Sequence, residues 1–227
     1  MIRLACDVSD KDAIAKLAQE INGRETHLDV VISNAGIRRD PPVPCDVLTA
    51  SLSELQASMW SSRHSDWTDT FCVNTTAHYF LSVALLPLLA AASQIELGDG
   101  LLGRDVGRGA IVMTSSCASM HNATNVDLTS YATSKAATDH LVKLLAAKFS
   151  RFYVRVVGIN PGCEQCYRLI VLQTNPFDSC SKQHESSRRG WKYVQLSFRP
   201  RSSQARWKSG RYCWSCHLSH QSSRCKS

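Results

Sequence analysis

The sequence predicts an α/β domain, a sheet of mostly parallel strands joined by crossover helices. Short apolar runs alternate with longer segments of helical period along residues 1–162. The apolar run at residues 28–32 is nearly continuous, which is typical of a strand buried on both faces of a parallel sheet. The chain has 227 residues, 44% of them hydrophobic, which is enough for one domain with its own core.

The N-terminal part predicts a strand, a helix and a second strand. Residues 1–6 form the first short strand, and Ser9 can cap a helix that continues through Ile21. Two aspartates early in that helix lie near its positive end, which favours negative charge. The second strand, residues 28–32, ends in a turn at residues 33–36.

The next elements follow the same alternation. After a loop that begins at Arg38, helical and extended patterns alternate up to Pro161 and Gly162, which end the last strand. The predicted elements are a short helix near 52–60, a long helix over about 66–89, a strand at 109–113, a helix over 131–149 and a strand at 153–159.

Charge and composition divide the chain near Gly162. The net charge is +7, but residues 163–227 hold 12 Lys and Arg against 3 Asp and Glu, whereas residues 1–162 hold 14 against 16. The tail also contains 6 of the 10 cysteines and 3 of the 5 tryptophans. Since the basic excess that suggests a nucleic-acid partner is confined to the tail, we expect no nucleic-acid partner.

Neither a membrane span nor a secretory signal is evident. The longest apolar run, residues 80–92, contains Ser82 and Pro87 and is shorter than the roughly 18 residues of a membrane span. Asp7 comes too early for a signal peptide. We therefore expect no membrane partner and a cytoplasmic location. We also expect no metal site, because the cysteines of residues 1–162 have no spacing with histidines that suggests one.

Tyr131 and Lys135 are the first residues whose types and spacing indicate a catalytic site. They are four residues apart at the start of a predicted helix, so their side chains share one face. A tyrosine hydroxyl has a pKa of about 10 and is a poor acid–base group at neutral pH, but an ammonium beside it favours the tyrosinate. Such a pair can move a proton to or from a carbonyl or alcohol oxygen, while Ser116 holds the same oxygen.

Five motifs follow one another on the elements predicted above. They are Asp7-Val8, Ser33-Asn34-Ala35-Gly36, Val73-Asn74, Thr114-Ser115-Ser116 with Tyr131 and Lys135, and Asn160-Pro161-Gly162. In this order they resemble the short-chain dehydrogenase/reductase family, and the segments at 53–60 and 73–77 are similar to those of its fungal reductases. The resemblance covers residues 1–162 and implies a Rossmann-like, doubly wound parallel sheet, here incomplete.

The family resemblance implies a role for each matching residue. Tyr131 would be the general acid–base, and Lys135 would lower its pKa and hold the nicotinamide ribose. Ser116 would polarise the substrate carbonyl, and Asn74 would support a proton-relay water. The cofactor, NADP or NAD, would be bound by Asp7, Val8, Asn34, Ala35, Gly36, Tyr131, Lys135, Pro161 and Gly162.

Two of these roles have alternatives. Ser116 lies 15 residues before Tyr131, about two more than is usual in the family, so either the loop through residues 121–123 is longer or Ser119 competes for its role. We favour Ser116 because it ends the predicted strand. Asn74 has a structural alternative, in which it only hydrogen-bonds a neighbouring strand.

The N-terminal part of the family pattern is missing from this sequence. The glycine-rich turn and the βαβ unit that bind the pyrophosphate should precede Met1. Without them we expect the strand at 1–6 to lose its sheet neighbours and the chain as written to bind NAD(P) poorly. The residue that distinguishes NADP from NAD belongs to the same unit.

The tail, residues 163–227, departs from the family and is predicted to be largely disordered. Its Cys-x-x-Cys pairs, Cys163 with Cys166 and Cys213 with Cys216, can offer zinc ligands or, with His217, a haem attachment site. Its basic residues and tryptophans can bind single-stranded nucleic acid by stacking.

A change of reading frame explains more features of the tail than these binding functions do. The codons of residues 207–226, read in a shifted frame, permit the segment E-D-I-A-x-x-V-x-Y-L-x-S that the family carries near its C-terminus. We therefore interpret residues 163–227 as a translated short intron followed by a frame-shifted exon.

Together these features predict an NAD(P)-dependent oxidoreductase that interconverts a ketone and a secondary alcohol. Its partner is a small carbonyl or alcohol substrate, and the resemblance implies a homo-oligomer formed through the helices around Asn74 and Tyr131. The alternative is a truncated, inactive protein that acts only in binding or dimer formation.

Overall fold

The computed structural model describes residues 4–121 and 124–162 and, as backbone, two strands further along the chain. The helices are α1 (Lys11–Asn22), α2 (Leu52–Trp60), α3 (His64–Phe71), α4 (Ala77–Ser93) and α5 (Thr129–Phe149). The strands are β1 (Val30–Ser33), β2 (Glu96–Gly98), β3 (Leu101–Leu102), β4 (Ala110–Thr114), β5 (Arg155–Ile159), β6 (Lys192–Leu196) and β7 (His217–His220).

A five-stranded sheet organises the described residues in the order β5-β4-β1-β6-β7. Strands β1, β4 and β5 are parallel, with Val31 opposite Ile111 and Ile111 opposite Val156. Strand β6 pairs in parallel with the other edge of β1, and β7 runs antiparallel to β6. The predicted α/β class with a mainly parallel sheet is confirmed.

One face of the sheet carries the core. Val31, Ile111 and Val156 are buried there against α1, α4 and α5. The helical residues of this cluster are Ile14, Leu17, Ile21, Leu81, Leu85, Leu88, Leu89, Leu145 and Phe149. On the other face Val157 and Ile159 are 48% and 45% exposed. Among the described residues, then, the helices of one side of a doubly wound sheet are present.

Helix α1 begins with a different cap from the one that the sequence predicted. The carboxylate of Asp10 accepts a hydrogen bond of 2.9 Å from the backbone N–H of Asp12. The hydroxyl of Ser9 instead donates to the carboxylate of Asp7 at 2.6 Å. The prediction of Ser9 as the cap is wrong, because Asp7 engages the Ser9 hydroxyl and leaves the next residue to cap the helix.

The strand predicted at residues 1–6 is not formed over residues 4–6, the part that the structure describes. A strand needs a hydrogen-bonded neighbour. Strand β1 is paired on one edge with β4 and on the other with β6, and no described strand pairs with residues 4–6.

The long helix expected over 66–89 is a helical run from His64 to Ser93 with an internal π-helical turn, Cys72–Thr76. By length and composition it is the one helix of the described part that could cross a membrane, but this is weak evidence, since the core helix of a soluble protein passes the same test. Here Leu85 and Leu89 are fully buried in the core.

Two features of the sheet region differ from the sequence predictions. Strands β2 and β3 form an unpredicted hairpin, whose turn at residues 98–100 has positive φ angles throughout. In the tail, where disorder was expected, the structure describes β6 and β7. Tyr193 and Val194 are residue types that favour strands. The cysteine pairs and the tryptophans of the tail lie outside the described residues.

Candidate active site

The carboxyl ends of the parallel strands bring the five motifs together. Strand β1 ends at Ser33 opposite Met113 of β4, so residues 34–36 follow β1 beside residues 114–116. Val8 and Ala35 pack in one small apolar cluster with Val73 and Ala77, which brings the first and third motifs to the same place. Ligands of parallel α/β sheets bind at this end of the strands.

Lys135 lies at the centre of this end of the sheet. Its side chain is on α5, is only 2% exposed, and donates a hydrogen bond of 2.8 Å from Nζ to the carbonyl oxygen of Thr114. A Cβ atom on Gly36 would lie 3.1 Å from this Nζ and 3.3 Å from Oδ1 of Asn74. Glycine is therefore needed at position 36 to let the turn after β1 approach the ammonium.

The environment of Lys135 changes its titration. Burial lowers the pKa of Lys135 from 10.5 to about 8, and the carboxylate of Asp139, one turn later on α5, partly opposes this by raising it. An ammonium with this pKa is still mostly charged near neutral pH.

Tyr131 lies one helical turn before Lys135, as the spacing predicted. The Nζ atom of Lys135 is 5.9 Å from the centre of the Tyr131 ring, within the range of a cation–π contact. The ring is half-buried, and among the described residues no side chain hydrogen-bonds its hydroxyl. The phenol is thus held beside a positive charge with its hydroxyl available to a ligand.

Asn74 lies in the π-helical turn and is fully buried. Its Oδ1 accepts from the N–H of Ile37 at 2.7 Å, while Nδ2 donates to the carbonyl oxygen of Ile37 and to Oγ of Ser134, both at 2.9 Å. The Asn74 carbonyl oxygen accepts from the Thr138 hydroxyl at 2.6 Å. The side chain thus clamps the turn after β1, a structural use of the kind that the sequence left open.

The two candidate serines differ in their hydrogen bonds. Oγ of Ser119 donates to the carbonyl oxygen of Ser116 at 2.8 Å and accepts from Nδ2 of Asn160 at 3.1 Å. Oγ of Ser116 accepts from the N–H of Ala118 at 3.1 Å, and among the described residues its own proton has no acceptor. This difference favours Ser116 as the donor to a substrate oxygen.

The other cofactor-site candidates surround this centre. Asp7 is half-buried and accepts from Ser9, whereas Val8 is only 3% exposed, so its side chain packs against Ala35 rather than facing a ligand. Asn34 is half-buried. Pro161 and Gly162 are exposed beside the Ser116 turn, and the carbonyl oxygen of Pro161 accepts from the N–H of Cys117 at 3.1 Å.

Several residues near the site were missed by the sequence analysis. His78 is fully buried with Nδ1 2.5 Å from Oγ of Ser33, and burial, together with the charge of Lys135, lowers its pKa to about 3. Asp139 is four residues after Lys135, so helical spacing alone could have placed it on the same face. No cluster of three or more potential metal ligands occurs within the described residues.

Comparison with known proteins places these features in a family. The family model described as short chain dehydrogenase matches residues 1–166. The short-chain dehydrogenase/reductase PhomF' of Diaporthe leptostromiformis is 32% identical over 164 residues, which are 71% of this chain and 52% of that protein. The 7alpha-hydroxysteroid dehydrogenase of Escherichia coli is 26% identical over 184 residues, 81% of this chain and 59% of that protein. The chain thus spans between half and two thirds of the length of these curated relatives.

Solved structures show the same fold. An NADPH-bound carbonyl reductase from chicken fatty liver has a TM-score of 0.54 at 23% identity, over 70% of this chain and 57% of that one. A 7 alpha-hydroxysteroid dehydrogenase in complex with NADH and 7-oxo glycochenodeoxycholic acid has a TM-score of 0.52 at 24% identity, over 69% of this chain and 49% of that one.

Proposed function

This chain belongs to the short-chain dehydrogenase family, and on that premise we propose that it is an NAD(P)-dependent oxidoreductase that interconverts a ketone and a secondary alcohol. The observation that carries the proposal is the buried ammonium of Lys135 beside the Tyr131 ring, at the carboxyl end of the sheet. The substrate is a small carbonyl or alcohol compound, as the names of the oxidoreductase relatives suggest.

The residues at this end of the sheet fit the nicotinamide end of a dinucleotide. Gly36 leaves its Cβ position empty next to Lys135, and Oγ1 of Thr114 is buried without a partner among the described residues. Two similar structures are named as complexes with NADPH and NADH. We propose that Lys135, Tyr131 and the turn at residues 34–36 hold the nicotinamide ribose, with Asp7 nearer the adenine.

The bound cofactor would supply the hydride chemistry that side chains lack. Tyr131 gives its hydroxyl proton to the ketone oxygen during reduction and takes it back from the alcohol during oxidation. Lys135 places a positive charge beside the phenol, and Ser116 donates a hydrogen bond to the same substrate oxygen. Asn74 supports these groups through its clamp on Ile37.

A catalytically inactive binding protein is the second candidate. The observation that favours it is that β1 pairs along one edge with β6, which belongs to the tail that departs from the family pattern. In this case the chain would bind a partner or form dimers without turnover.

Titration of the 227-residue chain with NADH and NADPH, followed by intrinsic and nicotinamide fluorescence, tests the proposal. We expect weak but saturable binding, with turnover of ketones or secondary alcohols. If the folded chain shows neither cofactor binding nor turnover, the proposed enzymatic function is contradicted and the inactive binding protein is favoured.

The variant Tyr131→Phe tests the assigned role of the phenol. We expect turnover to fall by about a hundredfold or more, because the proton donor is removed, while cofactor binding is kept. Tyr79→Phe, on an exposed tyrosine of α4, is the matched control and should keep full turnover. Equal turnover in Tyr131→Phe would remove Tyr131 from its role.

A further inference from the structure

Asn160 links the strand β5 end to the turn that carries Ser116. Its Nδ2 atom lies 3.2 Å from the carbonyl oxygen of Ser116 and 3.1 Å from Oγ of Ser119. The same nitrogen lies 3.1 and 3.0 Å from the two carboxylate oxygens of Asp139 on α5. One amide group thus connects a strand end, the serine turn and the helix that carries Tyr131.

The chemistry of the neighbours fixes the orientation of this amide. A carboxylate and a backbone carbonyl only accept hydrogen bonds, so the nitrogen of Asn160, and not its oxygen, must face Asp139 and the carbonyl of Ser116. The amide has two N–H donors to share among these acceptors. The bonds to Asp139 are charge-assisted and therefore the stronger ones.

The carboxylate of Asp139 also affects the pKa of Lys135. The two residues are one turn apart on α5, and the Asp139 carboxylate raises the pKa of Lys135 against the effect of burial. The other titratable groups near Lys135 are Tyr131 on the same helix and His78 on α4, and the pKa of His78 is lowered to about 3, so it carries no charge at neutral pH.

We propose that Asp139 and Asn160 form a positioning pair for the active site. Asn160 holds the Ser116 turn against α5, and Asp139 orients Asn160 and places a carboxylate one helical turn from Lys135. Neither residue touches the reacting atoms, so both act through Ser116 and Lys135. The inference rests on the function proposed above, and it assigns separate tasks to the two residues.

The two tasks can be separated by substitution in the full chain. Asp139→Asn keeps an oxygen that can accept from Asn160 but removes the charge, so we expect the pKa of Lys135 to fall while the link to the Ser116 turn is kept. Asn160→Ala removes the link but keeps the charge. We expect it to lower kcat about tenfold or more without lowering the Lys135 pKa. Asn160 is exposed, so this change removes no core contact.

Two readouts do not depend on activity. The pKa of Lys135 is measured from the Cε resonance of ¹³C-labelled lysine, assigned with Lys135→Met. Hydrogen exchange at the amides of Cys117 and Ala118 reports on the serine turn and should become faster in Asn160→Ala only. Asp99→Asn is the matched control, because it removes the same charge in the β2–β3 turn at φ 51°, a conformation that asparagine accepts.

The outcomes separate this inference from the proposed function. An unchanged Lys135 pKa in Asp139→Asn, or unchanged exchange in Asn160→Ala, would overturn the positioning pair. The same would follow if Asp99→Asn lowered the pKa as much as Asp139→Asn does. If the parent chain shows no turnover, the proposed function fails, while the resonance and exchange measurements still decide the roles of Asp139 and Asn160.

Discussion

At the scale of single residues, Gly36 and Lys135 depend on each other. Lys135 is held by the carbonyl oxygen of Thr114, and Asn74 is held by the backbone of Ile37, so neither can move freely from the space beside Gly36. The φ angle of Gly36 is not positive. The need for glycine here is therefore a need for space, not for an unusual backbone conformation.

The variant Gly36→Ala is expected to lower the free energy of unfolding by about 1–3 kcal/mol and to weaken dinucleotide binding. The added Cβ would lie 3.1 Å from Nζ of Lys135 and 3.3 Å from Oδ1 of Asn74. Gly23→Ala, where the Cβ would be 3.5 Å or more from its neighbours, is the control and should be neutral or slightly stabilising. Chemical denaturation of both variants checks this, and equal stability of the two would refute the steric argument.

Lys135 also predicts a pH dependence of stability. Its pKa is about 8 in the folded chain against 10.5 as the ordinary value. Between these values the unfolded chain binds more protons than the folded chain, so the contribution of Lys135 to stability rises with pH over this range. The total rise is on the order of 3 kcal/mol.

Lys135→Met removes the titrating group and provides the comparison. Relative to this variant, the parent chain should gain free energy of unfolding from pH 8 to pH 10.5 and show a constant difference below pH 7. Urea denaturation of both chains at a series of pH values measures this difference in the free energy of unfolding. A difference that stays constant up to pH 10.5 would show that the lysine is not buried as described.

At the scale of elements, the π-helical turn between α3 and α4 places Asn74 against the turn after β1. Such turns interrupt a helix at the cost of regular hydrogen bonding and are frequent at functional sites. Here a side chain of the π-helical turn, Asn74, is hydrogen-bonded to Ile37 after β1, although the two residues are 37 positions apart in the chain. The clamp therefore belongs to the packing of α4 on β1, not to either element alone.

Asn74→Ala should release the turn after β1. The N–H and carbonyl groups of Ile37 lose their partner, which costs about 1–3 kcal/mol of stability if they stay buried. We expect faster hydrogen exchange at the amide of Ile37, measured by mass spectrometry or NMR. Asn22→Ala, at the exposed end of α1, is the control. Unchanged exchange at Ile37 in Asn74→Ala would contradict the clamp.

The elements with strong local signals were predictable from the sequence. Helix α2 has the predicted bounds, and α5 begins two residues earlier than expected, at Thr129. The π-helical turn and the Asn160 network were not predictable, because they depend on contacts between residues far apart in the chain. The Lys135–Tyr131 spacing could be read from helical geometry, whereas the burial of Lys135 could not.

At the scale of the whole molecule, the described residues make a sheet with helices on one face. Val157 and Ile159 of β5 remain about half exposed on the other. The family model ends at residue 166, close to the point where charge and composition change. These two observations concern different parts of the molecule, but both have the same explanation if the natural C-terminal segment is encoded in another frame.

We predict that the gene also gives a spliced transcript that lacks most of the codons from Cys163 to Ser179. The codons of Cys163 and Glu164 can form a splice donor, and those of Asp178 and Ser179 an acceptor. The excised length is not a multiple of three, so splicing would restore the frame that encodes E-D-I-A-x-x-V-x-Y-L-x-S. Amplifying and sequencing the transcript across this region shows directly whether the spliced form exists.

The protein made from a spliced transcript gives an independent check. A C-terminal segment that packs on the sheet should bury apolar surface near Val157 and Ile159, and each fully covered side chain would add about 1.5–3 kcal/mol at most to the free energy of unfolding. Slower hydrogen exchange in β5 of the spliced product than of the 227-residue chain is the expected result. If only the unspliced transcript exists, the frame-shift interpretation is wrong.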